Sequence, residues 1–159
     1  MCQEECPYQV RWAGVEDWTP AMNMIWKTFL KFEGDVYSPE GVRNFLDFIT
    51  DEDLFHSFLE GRYLLMVAVA DKQIVGAASV RDGHHLSLLF VDERYHKRGI
   101  GRRLMNCFCK FLKEEAGEQC MTLKSSPYAV GFYEKNGFKT TGPEEHYAGI
   151  RVTPMVKFL

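Results

Sequence analysis

The chain lacks an even set of cysteines: Cys2, Cys6, Cys107, Cys109 and Cys120 make an odd count. Five thiols cannot all pair within one chain, and two of them fall inside a helical pattern. This composition argues for reduced cysteines in a cytoplasmic protein rather than a disulfide framework. No histidine or further cysteine stands near Cys2 and Cys6 in sequence, so the pair lacks the four ligands of a structural zinc site and no metal is expected. Long apolar runs are missing as well, which excludes a membrane-spanning helix of about 20 residues. Met1-Cys2-Gln3-Glu4-Glu5-Cys6 carries acid and no apolar core, so it does not read as a signal peptide. Charge of one sign is not in excess either. With 19 Lys+Arg against 22 Asp+Glu, the net charge of -3 does not drive the whole chain toward nucleic acid or a membrane. Repeats, linkers and low-complexity segments are absent, so residues 1–159 read as one globular domain.

The apolar pattern changes period along the chain. Tyr8 to Trp12 predicts a strand. Met22, Ile25, Trp26, Phe29 and Leu30 recur at helical spacing behind Asp17 or Thr19 as cap and Pro20 in the first turn. Ser38-Pro39-Glu40 opens a second helix, and Asp53 to Leu59 makes a third that stops at Gly61. Tyr63 to Ala70 and Gln73 to Val80 then read as strands joined at Asp71-Lys72, and His85 to Val91 follows the Asp82-Gly83 turn. Ile100, Leu104, Phe108, Phe111 and Leu112 mark a helix ending at Gly117, before a strand from Cys120 to Lys124. Ser126-Pro127 opens a short helix through Lys135, and Phe138 to Thr141 with Arg151 to Phe158 reads as a final hairpin. Tight turns make the early strands antiparallel, whereas the crossover helix makes the strands at 85–91 and 120–124 parallel. The expected fold class is α/β, a mixed, mostly antiparallel sheet with helices on both faces.

The densest signal lies between His85 and Met105. A strand delivers its end to the basic turn His96-Lys97-Arg98-Gly99-Ile100-Gly101, and a helix begins there with Arg102 and Arg103. A helix N-terminus offers unpaired N–H groups and the positive end of the helix dipole, so this is an anion cradle suited to a phosphate-bearing ligand. A dinucleotide fingerprint would need a third glycine where Leu104 stands, and the Gly-Lys-Ser/Thr of a Walker loop is absent.

The turn resembles the Gln/Arg-x-x-Gly-x-Gly/Ala pyrophosphate loop of the GNAT superfamily of N-acetyltransferases. Downstream, Ala129-Val130-Gly131-Phe132-Tyr133-Glu134-Lys135-Asn136-Gly137-Phe138 resembles that family's second signature, Ala-x-x-Phe-Tyr-x-x-x-Gly-Phe. The resemblance implies acetyl-CoA as donor, an amine as acceptor and direct transfer between them. It implies that the backbone of Lys97, Arg98, Gly99, Ile100, Gly101 and Arg102 holds the pyrophosphate, with the His96 side chain near phosphate. Leu89, Phe90 and Val91 would meet the pantetheine arm on a bulged strand that splays from its parallel neighbour, with Ser125 substituting for the asparagine expected at Lys124.

By the same resemblance Tyr133 matches the tyrosine that protonates the departing thiolate; a phenol of pKa about 10 remains a proton donor at neutral pH. The structural alternative is a tyrosine packed on its helix. His85 stands where the family often places a glutamate base, and an imidazole titrating near 6.5 suits that task. Strand alternation sends His84 and His85 to opposite faces, and a solvated His-His turn is the competing reading. Trp26, Phe29, Phe32, Tyr37, Phe45 and Tyr147 are either core or acceptor-cleft residues, and Glu33, Asp35, Glu144 and Glu145 either hold a cationic amine or are solvated. The functional expectation is an acetyl-CoA-dependent N-acetyltransferase acting on a small-molecule, peptide or protein amine, as a monomer or homodimer. A non-catalytic acyl-CoA-binding sensor is the alternative.

Overall fold

Side chains alternate between the two faces of a sheet, so a strand buried on both sides must be apolar at nearly every position. Residues 64–70 and 74–80 meet that condition and form the centre of the molecule. The computed structural model describes residues 8–159. In order it contains β1 (Gln9–Trp12), α1 (Trp18–Phe32), α2 (Pro39–Ile49), α3 (Glu52–Leu59), β2 (Leu64–Ala70), β3 (Gln73–Arg81) and β4 (His85–Val91). There follow α4 (Ile100–Glu114), β5 (Cys120–Ser125), α5 (Val130–Lys135), β6 (Lys139–Thr140), β7 (Glu145–Tyr147) and β8 (Ile150–Phe158). The sheet runs β1-β2-β3-β4-β5-β8-β6, with β7 paired to β8. Every pairing is antiparallel except β4 with β5.

Leu65, Val67 and Ala77 face a core shared with α1, α2 and α3, whereas Met66, Ala68, Ala78 and Val80 face α4 and α5. Helix α4 buries Ile100, Leu104, Met105, Phe108 and Leu112 along one face. It lies close because β3 has Gly76 beneath it: a Cβ there would come within 2.9 Å of Ile100 Cγ2 and 3.1 Å of Leu104 Cδ1. Gly76 thereby fixes the height of the α4 N-terminus above the sheet.

Strand β4 carries two irregularities that shape the site. Ser79 pairs with Leu88 but Val80 pairs with Leu86, leaving Ser87 as an extra residue. The bulge is therefore at Ser87, upstream of the Phe90–Val91 position that the family resemblance implied. Before it, β4 and β5 are paired at His85↔Thr122 and Leu86↔Leu123 only. The two strands then part, and the outer half of β4 has an open edge.

Three local expectations are corrected. Asp17 occupies the N-cap of α1 without capping it, because its carboxylate accepts from Arg11 at 2.6 and 3.1 Å and from the Gly14 amide at 2.7 Å. Residues 126–129 form a turn, and the short helix starts at Val130. The hairpin partner of β8 is β7 through Ala148 and Gly149, both in the left-handed region, while β6 pairs farther along β8. Cys2 and Cys6 lie outside the described residues. Among the described residues no helix is long and apolar enough to cross a membrane.

Candidate functional site

The turn before α4 is left-handed at two positions, Lys97 (φ 63°) and Gly99 (φ 78°). Such a conformation is routine for glycine and uncommon for lysine. It curls the backbone so that successive N–H groups converge. The first intrahelical bond runs from the Arg103 amide to the Gly99 carbonyl at 3.0 Å. The preceding amides at the N-terminus of α4 have no helix carbonyl to meet. They border a cleft of about 560 Å³ between this turn, β4 and α5. A side chain on Gly101 would point into that cleft toward Phe132 and Val91.

Leu89, Phe90, Val91, His96, Lys97, Gly99, Ile100, Gly101 and Arg102 all line this cleft. Arg98 does not: its guanidinium lies 4.9 Å from the Tyr95 ring centroid and borders a separate surface depression.

The open edge of β4 faces the cleft with a defined set of backbone groups. The Asp92 amide donates to the Val75 carbonyl at 2.8 Å. By antiparallel alternation Phe90 turns its amide and carbonyl toward β3, whereas Leu89 and Val91 turn theirs outward. Phe90 thus offers the cleft its ring and not its backbone, a correction to the expected backbone contact with pantetheine. His96 Nε2 donates to the outward Val91 carbonyl at 2.6 Å, which fixes the tautomer because a carbonyl only accepts. Its ring packs 5.0 Å from Phe32. The side chain clamps the end of β4 rather than reaching for an anion.

A second cleft of about 330 Å³ lies on the α1–α2 side of β4. Phe29, Tyr37, Phe45 and Phe48 form its aromatic wall, and His85, Ser87, Lys124 and Ser125 form the sheet side. His85 Nδ1 is 2.9 Å from Thr122 Oγ1, and His84 turns the other way to Glu118 at 3.3 Å. The expectation of an imidazole titrating near neutrality does not hold. Burial, aided by the Arg81 and Lys124 charges, lowers His85 to about 4. Ser125 also departs from expectation: it lies outside the first cleft, and its buried hydroxyl donates to the Ser126 carbonyl at 2.8 Å. Lys124 pairs with Glu145 at 3.1 Å.

The two clefts meet at Glu33, Leu89, Phe90, Ala129 and Tyr133. Tyr133 is 8% exposed, its ring held between Phe132 and Phe138 at centroid distances of 5.3 and 5.5 Å. Among the described residues no hydrogen bond engages its hydroxyl, and no buried polar side-chain atom is left unpartnered, so the hydroxyl opens on the clefts. Burial raises its pKa, and the Glu33 charge raises it further. Glu33 is half-buried, and burial raises its carboxyl above the usual range while Ser126 opposes the shift. Sequence reasoning placed Glu33 only among several acids, because nothing local distinguishes it. It missed Tyr128, whose ring lies 5.7 Å from Phe32 at the mouth of the first cleft.

An acetyltransferase (GNAT) domain family matches residues 33–159. The chain is 34% identical over 94 residues to the peptidyl-lysine N-acetyltransferase YjaB of Salmonella typhimurium, covering 59% of this chain and 62% of that protein. It therefore spans less than two thirds of that relative's length. A GCN5-related N-acetyltransferase structure from Rhodopseudomonas palustris superposes with a TM-score of 0.83 at 23% identity, over 100% of both chains. The PaiA N-acetyltransferase of Thermoplasma acidophilum, solved with coenzyme A, superposes with a TM-score of 0.80 at 21% identity, over 96% of this chain and 99% of that one. With the family model covering most of the chain, and the same fold in these structures, the protein belongs to the GNAT acetyltransferase family.

Proposed function

We propose that this protein is an acetyl-CoA-dependent N-acetyltransferase that moves the acetyl group directly to an amine. The observation that carries the reading is Tyr133, a buried residue whose hydroxyl opens where the two clefts join and has no hydrogen-bond partner among the described residues. The first cleft suits the donor. The converging amides at 97–102 hold the pyrophosphate, with Lys97 and Arg102 adding positive charge, and Arg98 contributes through its backbone. The outward groups of Leu89 and the Val91 amide pair with the amide-bearing pantetheine arm as an added strand would. The gap where β4 leaves β5 admits the thioester, and the Val91 N–H is the preorganised dipole for its carbonyl oxygen.

The second cleft suits the acceptor. Its aromatic wall accommodates the alkyl stem of an amine, and His85 lines it as a neutral imidazole. The named activity of YjaB supports a peptide lysine as acceptor, with a small-molecule amine as the alternative. Nucleophilic attack by the neutral amine forms the C–N bond. Tyr133 gives its proton to the sulfur as the C–S bond breaks, then recovers a proton from the new amide nitrogen. Residues 1–159 act in this reading as one catalytic domain in the cytoplasm, where thiols such as those of Cys107, Cys109 and Cys120 stay reduced.

The test is release of free thiol from acetyl-CoA in the presence of a lysine-containing peptide, polyamines, amino acids and aminoglycosides. Turnover with one class, and a Tyr133→Phe variant that loses about 100-fold in kcat with its acetyl-CoA affinity retained, is the expected result. Tight CoA binding with no turnover on any acceptor would replace the enzyme by an acyl-CoA sensor.

A further inference from the structure

Resting on the acetyltransferase reading, we infer that Glu33 is the group that removes the proton from the acceptor amine. An alkyl amine is mostly cationic at pH 7 and has no lone pair for attack until that proton leaves. His85 is poorly placed on the energy scale for the task, since an imidazole lowered to about 4 binds the proton weakly.

Glu33 is placed where the proton must be collected. It lines both clefts, as Tyr133 does, and so sits beside the junction through which acetyl group and amine approach each other. Its position is not explained by the stability of its own helix. Glu33 is the C-cap of α1, the end at which the helix dipole favours cations. Among the described residues no ion pair engages it, whereas nearby Lys31 is paired with Glu93. The chain turns sharply just after it: the amides of Glu33 and Gly34 both donate to the Phe29 carbonyl, at 2.8 and 3.0 Å. A Cβ on Gly34 would come within 2.7 Å of the Leu30 carbonyl oxygen, so glycine is needed for that turn. The carboxylate is thus held half-buried against Ser126 and Tyr133, and its raised affinity for a proton is in the direction a general base requires.

The step balances. The cationic amine passes one proton to the Glu33 carboxylate and becomes neutral, and its lone pair attacks the thioester carbonyl. Tyr133 protonates the departing sulfur and then takes the remaining excess proton from nitrogen. Glu33 releases its proton to water, and both side chains return to their starting state.

The experiment compares two nucleophiles at pH 7 with acetyl-CoA: n-butylamine, which is cationic, and hydroxylamine, which is largely neutral. In Glu33→Gln the ratio of the n-butylamine rate to the hydroxylamine rate falls by about 100-fold, with partial recovery in Glu33→Asp. An unchanged ratio overturns the assignment while leaving the acetyltransferase reading intact. Failure of the native protein to acetylate either nucleophile or any member of the acceptor panel overturns the acetyltransferase reading itself. Carbon-13 NMR of the Glu33 carboxyl in the native protein gives a check independent of any variant. An ionised group at pH 7 is expected, and a protonated one overturns the role.

Discussion

Leu86 and Leu88 are two residues apart on one strand, yet they pack on opposite faces of the sheet. Leu86 belongs to the core beneath α4, and Leu88 to the core beneath α1. Regular alternation would put both on one face; the bulge at Ser87 reverses the strand's facing in a single step. His85 therefore shares the α1 side with Leu88 and opens on the acceptor cleft.

Tyr63 braces that bulge. Its hydroxyl is 2.7 Å from Ser79 Oγ and donates to Ser87 Oγ at 3.1 Å, and Tyr63 and Ser79 are both buried. Tyr63→Phe deprives both serines of their partner and leaves the Ser79 hydroxyl without water to replace it. The expected cost is about 1–3 kcal/mol, measured by urea unfolding. A change below a few tenths of a kcal/mol would show that the bulge holds itself.

Gly76 tests how closely the donor cleft depends on packing behind it. Gly76→Ala places a methyl 2.9 Å from Ile100 Cγ2 and 3.2 Å from Ala68 Cβ. Ala68 is fixed in the central strand, so the first turn of α4 must move. Overpacking of this kind costs about 1–3 kcal/mol. Because the displaced turn carries the anion-facing amides, CoA affinity measured by calorimetry should weaken together with stability. Lost stability with intact affinity would disconnect the two.

The glycine turn was readable from sequence because its signal is local: glycines, cations and the start of a helix lie within ten residues. The α/β class was readable for a similar reason, since the period changes at Tyr63 and tight turns fix the antiparallel pairs. The bulge was not readable. His85 to Val91 is largely an apolar run, and one extra residue leaves no mark on a strand buried on both faces. Strand β7 was missed because Glu145-His146-Tyr147 has no apolar alternation, and its pairing depends on the left-handed turn at Ala148 and Gly149. Glu33 read as one acid among several because burial against Ser126 and Tyr133 joins residues about 100 positions apart. The expected pKa of His85 failed for the same reason, since burial and the Arg81 and Lys124 charges are tertiary facts.

That depressed imidazole makes stability depend on pH in a stated direction. His85 titrates at about 4 in the folded chain against 6.5 as the ordinary value. Between those two values the unfolded chain binds the proton and the folded chain does not, so unfolding is favoured as pH falls through that window. Above about pH 6.5 both states hold neutral histidine and this contribution vanishes. Stability measured by urea unfolding should therefore decline from pH 6.5 toward 4 more steeply in the native protein than in His85→Gln, which has no titrating group there. Proton NMR of the His85 ring supplies the direct check. A midpoint near 6.5 would return His85 to contention as the base, whereas one near 4 would leave the amine proton to a group of higher affinity.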